Sequence, residues 1–137
     1  MTVDTDTAGL LDKLRAALEP VPGIQIALVF GSAAVGRLTP SSDLDLAVAM
    51  DKPLTDEDRE AVIDRTSAAS GRDVDLIDLH RAHGLILREA ICRGRVLFCR
   101  DRTLHAGLMQ RMWGEQADFQ PVVDRLIHHR LAPWILR

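Results

Sequence analysis

The sequence predicts an α/β (α+β) fold, a small mixed β-sheet with helices packed on it, and three observations carry that expectation. Four short runs rich in Val, Ile and Leu (Ile24 to Phe30, Leu44 to Met50, Asp73 to Leu79, Arg95 to Cys99) are too brief for helices and are bounded by turn residues. The stretches between them repeat apolar residues at helical spacing, and the connections are short. A chain of 137 residues with 47% hydrophobic content can bury one core without staples, so a single domain over 1–137 is expected. Within it, about 24 to 100 should bear the motifs and 101–137 should form a helical C-terminal part.

Residues 1 to 7 read as a polar lead-in, with Thr7 capping a helix through about Leu18 whose stripe is Leu10, Leu11, Leu14, Ala17 and Leu18. Pro20-Val-Pro-Gly23 ends it. Ile24 to Phe30 is a buried strand, and a short helix from Ser32 to about Gly36 should follow. Thr39-Pro-Ser-Ser42 is a turn into the second strand, which closes at Asp51-Lys-Pro53. The acid-rich first turn Thr55-Asp-Glu-Asp58 opens a helix reaching about Ala69 through Ala61, Val62 and Thr66. After Ser70-Gly71 the third strand follows, then a helix over Ala82 to Arg93 with Leu87, Ala90 and Ile91 inward, then a fourth strand. From Thr103 onward the pattern is helical, with an interruption expected near Ala117 to Pro121 and continuation through Leu126 and Ile127.

Charge narrows the function classes. The net charge of −3 disfavours a general nucleic-acid binder, and no direct nucleic-acid partner is expected. Residues 1–79 carry seven bases against fifteen acids, whereas 80–137 carry ten bases, all arginine, against five acids. An arginine-rich solvated surface is the ordinary reading of that C-terminal excess. Cys92 and Cys99 lack metal-ligand spacing and sit in or beside apolar runs, so buried, reduced thiols in a cytoplasmic protein are expected. No stretch approaches the roughly 18 apolar residues of a membrane span, and no signal-peptide pattern opens the chain.

The chemistry concentrates between residues 30 and 50. Asp43 and Asp45 flank one apolar residue at the start of a strand, so both carboxylates should project from one face, where they repel unless a hard cation lies between them. Gly31 and Ser32 follow a strand directly and should form a turn whose free N–H groups favour a phosphate. A third carboxylate on a neighbouring strand would allow two Mg²⁺ ions about 3.5–4 Å apart, one escorting a nucleoside triphosphate and the other activating a hydroxyl. Asp75 is the best third ligand, Asp73 its same-face competitor, and Asp78 the weaker candidate because its parity is opposite. Sharing a metal requires the strand after Asp43 to lie beside the one after Asp73. His80 and His83 lack a third spaced ligand for zinc, and adjacent His128 and His129 face apart on a helix. Trp113 and Trp134, with Met109, Met112, Leu131 and Ile135, read as core or partner surface.

Gly31-Ser32, ten residues, Asp43-Leu44-Asp45 and a later Val74-Asp75-Leu76 together resemble the minimal nucleotidyltransferase (MNT) family of the DNA polymerase beta-like superfamily. The short single-domain form is similar to MNT antitoxins that pair with HEPN toxins. The resemblance spans about residues 24 to 100, including the helix-strand ending from Glu89 to Phe98, and implies the nucleotidyltransferase fold. It implies that Gly31 and Ser32 hold the triphosphate of ATP, that Asp43 and Asp45 bind Mg²⁺ and nucleotide, and that Asp75 is the third acid, nearest the acceptor hydroxyl. The family's arginine beyond the turn is replaced by Val35, with Arg37 nearby. The implied reaction is AMP transfer from ATP to tyrosine of a cognate HEPN ribonuclease, within a hetero-oligomer. This chain contains no tyrosine, so a tyrosine acceptor must come from a partner. The alternatives are an antitoxin that neutralises by binding alone and an enzyme that modifies a small-molecule hydroxyl, as aminoglycoside nucleotidyltransferases do.

Overall fold

The computed structural model describes residues 5–126. Eight main elements follow in order: α1 (Thr5–Leu18), β1 (Ile24–Phe30), β2 (Leu44–Met50), α2 (Asp56–Ser70), β3 (Val74–Asp78), α3 (Gly84–Arg93), β4 (Arg95–Cys99) and α4 (Arg102–Leu126). A 3-10 turn, Gly31–Ala33, follows β1 where a longer helix to Gly36 was expected. The sheet order is β3-β2-β1-β4, with β1 antiparallel to both β2 and β4 and with β2 parallel to β3. It is therefore a mixed sheet, as the sequence predicts.

Helices cover both faces, which is why β1 and β2 are apolar almost throughout. On one face Ala27, Val29, Leu46 and Val48 pack with Leu14 and Leu18 of α1 and Val62 of α2. On the other, Ile26, Leu28, Phe30, Ala47 and Ala49 pack with Leu87 and Ala90 of α3 and Leu108 and Met112 of α4. Strand parity divides these sets, with one exception that has a local cause. Ile24 joins the α1 face although it is two residues from Ile26, because the β1–β2 register shifts between those positions.

Helix boundaries show where local signals were overridden. Thr55 and Asp58 form the reciprocal cap of α2: Thr55 Oγ1 accepts from Asp58 N–H at 3.1 Å, and Asp58 Oδ2 accepts from Thr55 N–H at 3.0 Å. Gly71 closes α2 in the left-handed conformation, φ +67°. Thr7, by contrast, is not a cap. It is the third residue of α1 and is buried, so the helix begins earlier than the side-chain signal suggests. Ala61 points to solvent, leaving Val62 and Thr66 as the buried positions of α2. The expected break near Ala117 to Pro121 is absent, and α4 runs on through Pro121. Ile127, His128, His129, Leu131, Trp134 and Ile135 lie outside the described residues.

Several arginines act as carbonyl clamps, where a purely solvated surface was expected. Arg111 donates to the carbonyls of Leu79, His80 and Ala82, tying α4 to the loop after β3. Arg100 donates to the Ile24 carbonyl at 3.1 Å and the Glu19 carbonyl at 3.0 Å while stacking over Phe98. Both cysteines are free thiols, but neither is fully buried: Cys92 is exposed, with its Sγ reaching Met112 Sδ of α4 at 3.3 Å, and Cys99 is partly buried. No helix among the described residues is long and apolar enough to cross a membrane.

Candidate active site

The acid-bearing ends of β2 and β3 meet as strand parity requires. In the parallel pairing Leu44 lies beside Val74 and Asp45 beside Asp75, while the antiparallel pairing sets Asp45 beside Phe30, the last residue of β1. Asp45 and Asp75 thus share a face of the sheet, next to the turn that begins at Gly31. Asp43 precedes β2 by one residue and is exposed, Asp45 is half-buried and Asp75 is exposed.

Gly31 is required at its position for two reasons. Its φ is +65°, a region that other residues rarely adopt, and a Cβ there would collide with Oδ2 of Asp45. Ser32 follows, and its carbonyl accepts from Arg37 N–H at 2.9 Å, closing the loop on itself. The first N–H groups of such a turn have no acceptor within it. The Asp45 carboxylate therefore lies against the start of this turn, in space that only a glycine leaves free. Val35, where the family's arginine would stand, is 47% exposed, and Arg37 is exposed as well.

The electrostatics mark the same place. The Asp45 carboxyl is pushed up to about 6, first by burial, then by the charge of Asp75 and then by that of Asp43. Three carboxylates brought near one another offer hard oxygen donors and excess negative charge, which is the donor set that suits Mg²⁺. Among the described residues, no three His, Cys, Asp or Glu side chains are gathered at ligating distance in this arrangement. The side chains of Asp43 and Asp75, exposed to water, can relieve their repulsion by rotation.

The competing candidates lie elsewhere or serve other ends. Asp73 is exposed and precedes β3, and its carbonyl accepts from Leu44 N–H at 2.8 Å. Asp78 lies on the opposite face, 4% exposed, its Oδ2 accepting from Leu54 N–H at 2.8 Å and its Oδ1 from His80 N–H at 3.0 Å. It anchors the loop before α2. The His80 ring bonds the Met50 carbonyl, and His83 Nδ1 pairs with Glu115 at 2.8 Å, so the two imidazoles serve different contacts.

Comparison with known proteins fits this geometry. Residues 12–103 match the family described as polymerase beta, nucleotidyltransferase. The chain is 28% identical over 122 residues to protein adenylyltransferase MntA of Shewanella oneidensis, covering 87% of this chain and 88% of that one. It resembles a crystal structure of a toxin-antitoxin with AMP-PNP at a TM-score of 0.68 and 25% identity, covering 85% of this chain and 98% of that one. A mutant of the MntA-HpeT toxin-antitoxin gives a TM-score of 0.66 and 27% identity, over 85% and 96% of the two chains. The match spans the second half of α1, all four strands and the paired acids, and the chain belongs to the polymerase beta nucleotidyltransferase family.

Proposed function

We propose that this chain is a Mg²⁺-dependent protein adenylyltransferase that moves AMP from ATP to a hydroxyl, tyrosine by expectation, of a cognate HEPN ribonuclease toxin and so silences it. The observation that carries the reading is the register of Asp45 beside Asp75, with Asp43 two residues before Asp45 and the Gly31 turn against the Asp45 carboxylate. The similarity to a named protein adenylyltransferase supports the protein acceptor, and the likeness to a toxin-antitoxin with a bound ATP analogue supports the nucleotide and the partner. The absence of tyrosine from the chain is consistent with an acceptor in trans. The proposal treats 1–137 as one cytoplasmic nucleotidyltransferase domain that works within a hetero-oligomer.

Gly31 and Ser32 present backbone donors to the triphosphate. Asp43, Asp45 and Asp75 would hold Mg²⁺, which when bound neutralises triphosphate charge and acidifies the acceptor hydroxyl. Asp75, exposed on β3, would be the acid nearest the acceptor and would take its proton. The hydroxyl oxygen bonds to the α-phosphorus as the bond from that phosphorus to the bridging oxygen breaks, and pyrophosphate leaves.

The test combines the purified chain, labelled ATP, Mg²⁺ and the HEPN-type product of a neighbouring gene. Label should pass to the partner, and Asp43→Asn with Asp45→Asn should lower transfer by about 10³-fold or more. Undiminished labelling by the double variant would overturn the site. Full growth rescue by that variant, at equal expression with the toxin, would favour neutralisation by binding alone.

A further inference from the structure

Arg72 stands between the last residues of α2 and the first of β3, and its side chain reaches back across the sequence to the turn that precedes Asp43. Its Nη1 donates to the Thr39 carbonyl at 2.7 Å and to the Ser42 carbonyl at 2.9 Å. Thr39 to Ser42 is a tight turn, with Ser42 N–H donating to the Thr39 carbonyl at 3.1 Å and Thr39 N–H donating to Ser42 Oγ at 2.9 Å. Pro40 at its second position presets the bend.

Packing does little to hold this turn. Thr39, Pro40 and Ser41 are exposed, and behind them a cavity of about 530 Å³ is lined by Lys13, Leu38, Thr39, Pro40, Ala69 and Arg72. The guanidinium is thus the fixed point to which the turn is tied. Just beyond it, Leu44 N–H donates to the carbonyl of Asp73, the residue after Arg72, at 2.8 Å. Asp43 lies between these two attachments, before the first residue of β2, with one anchored carbonyl on its N-terminal side and one anchored N–H on its C-terminal side.

We propose that Arg72 is a positioning residue: by gripping the two carbonyls of the turn it holds Asp43 against β3, so that Asp43 and Asp45 share one site with Asp75. A planar guanidinium presents paired N–H groups in a fixed fork, so it can hold two carbonyls at once with little loss of side-chain freedom per bond. Lysine can donate to the same carbonyls but lacks the fork, so it restores part of the effect. Arg59 provides the contrast. It donates instead to the backbone of β3, at the Leu76 carbonyl at 3.1 Å, away from the turn that precedes Asp43.

The inference rests on the reading of the three acids as a divalent-metal site, and its test reads metal uptake as well as activity. Mn²⁺ binding is followed by electron paramagnetic resonance in the full chain and in Arg72→Ala, Arg72→Gln, Arg72→Lys and Arg59→Ala, with melting curves for each. Arg72→Ala and Arg72→Gln should weaken Mn²⁺ binding about 10- to 100-fold, as loss of a group that orients metal ligands does. Arg72→Lys should regain part of that loss, and Arg59→Ala should melt earlier with unchanged Mn²⁺ affinity. In the transfer assay the Arg72 variants should lose kcat, with KM for ATP within about threefold.

Wild-type Mn²⁺ affinity and kcat in either Arg72→Ala or Arg72→Gln overturn the proposal. So does an equal loss of metal in Arg59→Ala, which would reduce Arg72 to general stability. A wild-type chain that binds Mn²⁺ but labels no partner sinks the proposed function while the metal readout still decides on Arg72. A wild-type chain that binds no Mn²⁺ overturns both.

Discussion

Asp75 and Asp78 sit three residues apart on β3 and meet opposite surroundings. Asp78 is buried on the α1–α2 face, and both its oxygens are taken up by the N–H groups of Leu54 and His80. Asp75 is exposed on the other face, where its neighbour in register is another carboxylate, Asp45. A carboxylate given backbone donors is a structural part, because its charge is already answered where it lies. One set beside further carboxylates raises the free energy of the folded chain, and a cation is what answers it. The two ends of one short strand therefore separate an acid that holds the fold from an acid the fold must hold.

The largest effect on stability should come from the structural end. Asp78→Ala leaves the Leu54 N–H without its acceptor and should cost about 2–3 kcal/mol in denaturant unfolding. Asp75→Ala should stay within about 0.5 kcal/mol while losing transfer activity. Equal stability losses would erase the distinction between the two acids.

A smaller effect of opposite sign is expected at Asp45. Its carboxyl is raised to about 6, above that of the unfolded chain, so the native state binds the extra proton and stability falls as pH rises from about 4 to about 6. Allowing for partial solvent screening of a half-buried group, Asp45→Asn should stabilise the metal-free protein by about 1–2 kcal/mol at pH 7.5. That gain should vanish near pH 4. Melting curves at the two pH values check both statements, and a loss of stability at pH 7.5 would remove the idea that the acids strain the fold.

The smallest change sharpens the comparison at a third acid. Glu115 of α4 accepts from Gly84 N–H at 2.9 Å and from His83 at 2.8 Å, capping α3 from outside. The His83 hydrogen bond is the main reason its carboxyl lies below the usual range. Glu115→Gln should cost about 0.5–1 kcal/mol near neutral pH, the worth of a helix cap. Because a lowered carboxyl contributes above the unfolded value, that difference should shrink as pH falls below about 4.5. A cost that persists at pH 3 would assign the contact to packing.

The strands were legible because each is short, apolar and closed by Pro, Gly or Asp. The ranges of β1, β2 and β4 agree with the sequence reading, and β3 lost only its outer residues, Asp73 and Leu79. Alternation put the acids of β2 and β3 on shared faces, and the need to share a metal put the strands side by side, while the parallel register of Asp45 with Asp75 is a finding of the structure. Glycine chemistry pointed to the turn at Gly31, though the contact with Asp45 that excludes a Cβ is tertiary.

What escaped the sequence depends on partners far along the chain. Parity put Asp78 on the far face but could not say that Leu54, 24 residues earlier, would claim it. The grips of Arg72 on Thr39 and of Arg111 on Leu79 span more than 30 residues each, and an arginine in isolation carries no mark of its acceptor. Hydroxyl residues favour helix starts, which makes Thr7 look like a cap, yet it is buried within the first turn of α1.

The parallel pairing of β2 with β3 makes the meeting of Asp45 with Asp75 a late event in the life of the chain. Antiparallel neighbours such as β1 and β2 can meet across a loop, whereas β3 can reach β2 only through the longer crossover that contains α2. A nascent chain made as far as Ser70 already carries Gly31, Ser32, Asp43 and Asp45, yet it lacks the strand that bears Asp75. During synthesis, the order of the elements thus keeps an incomplete chain from presenting all three acids together.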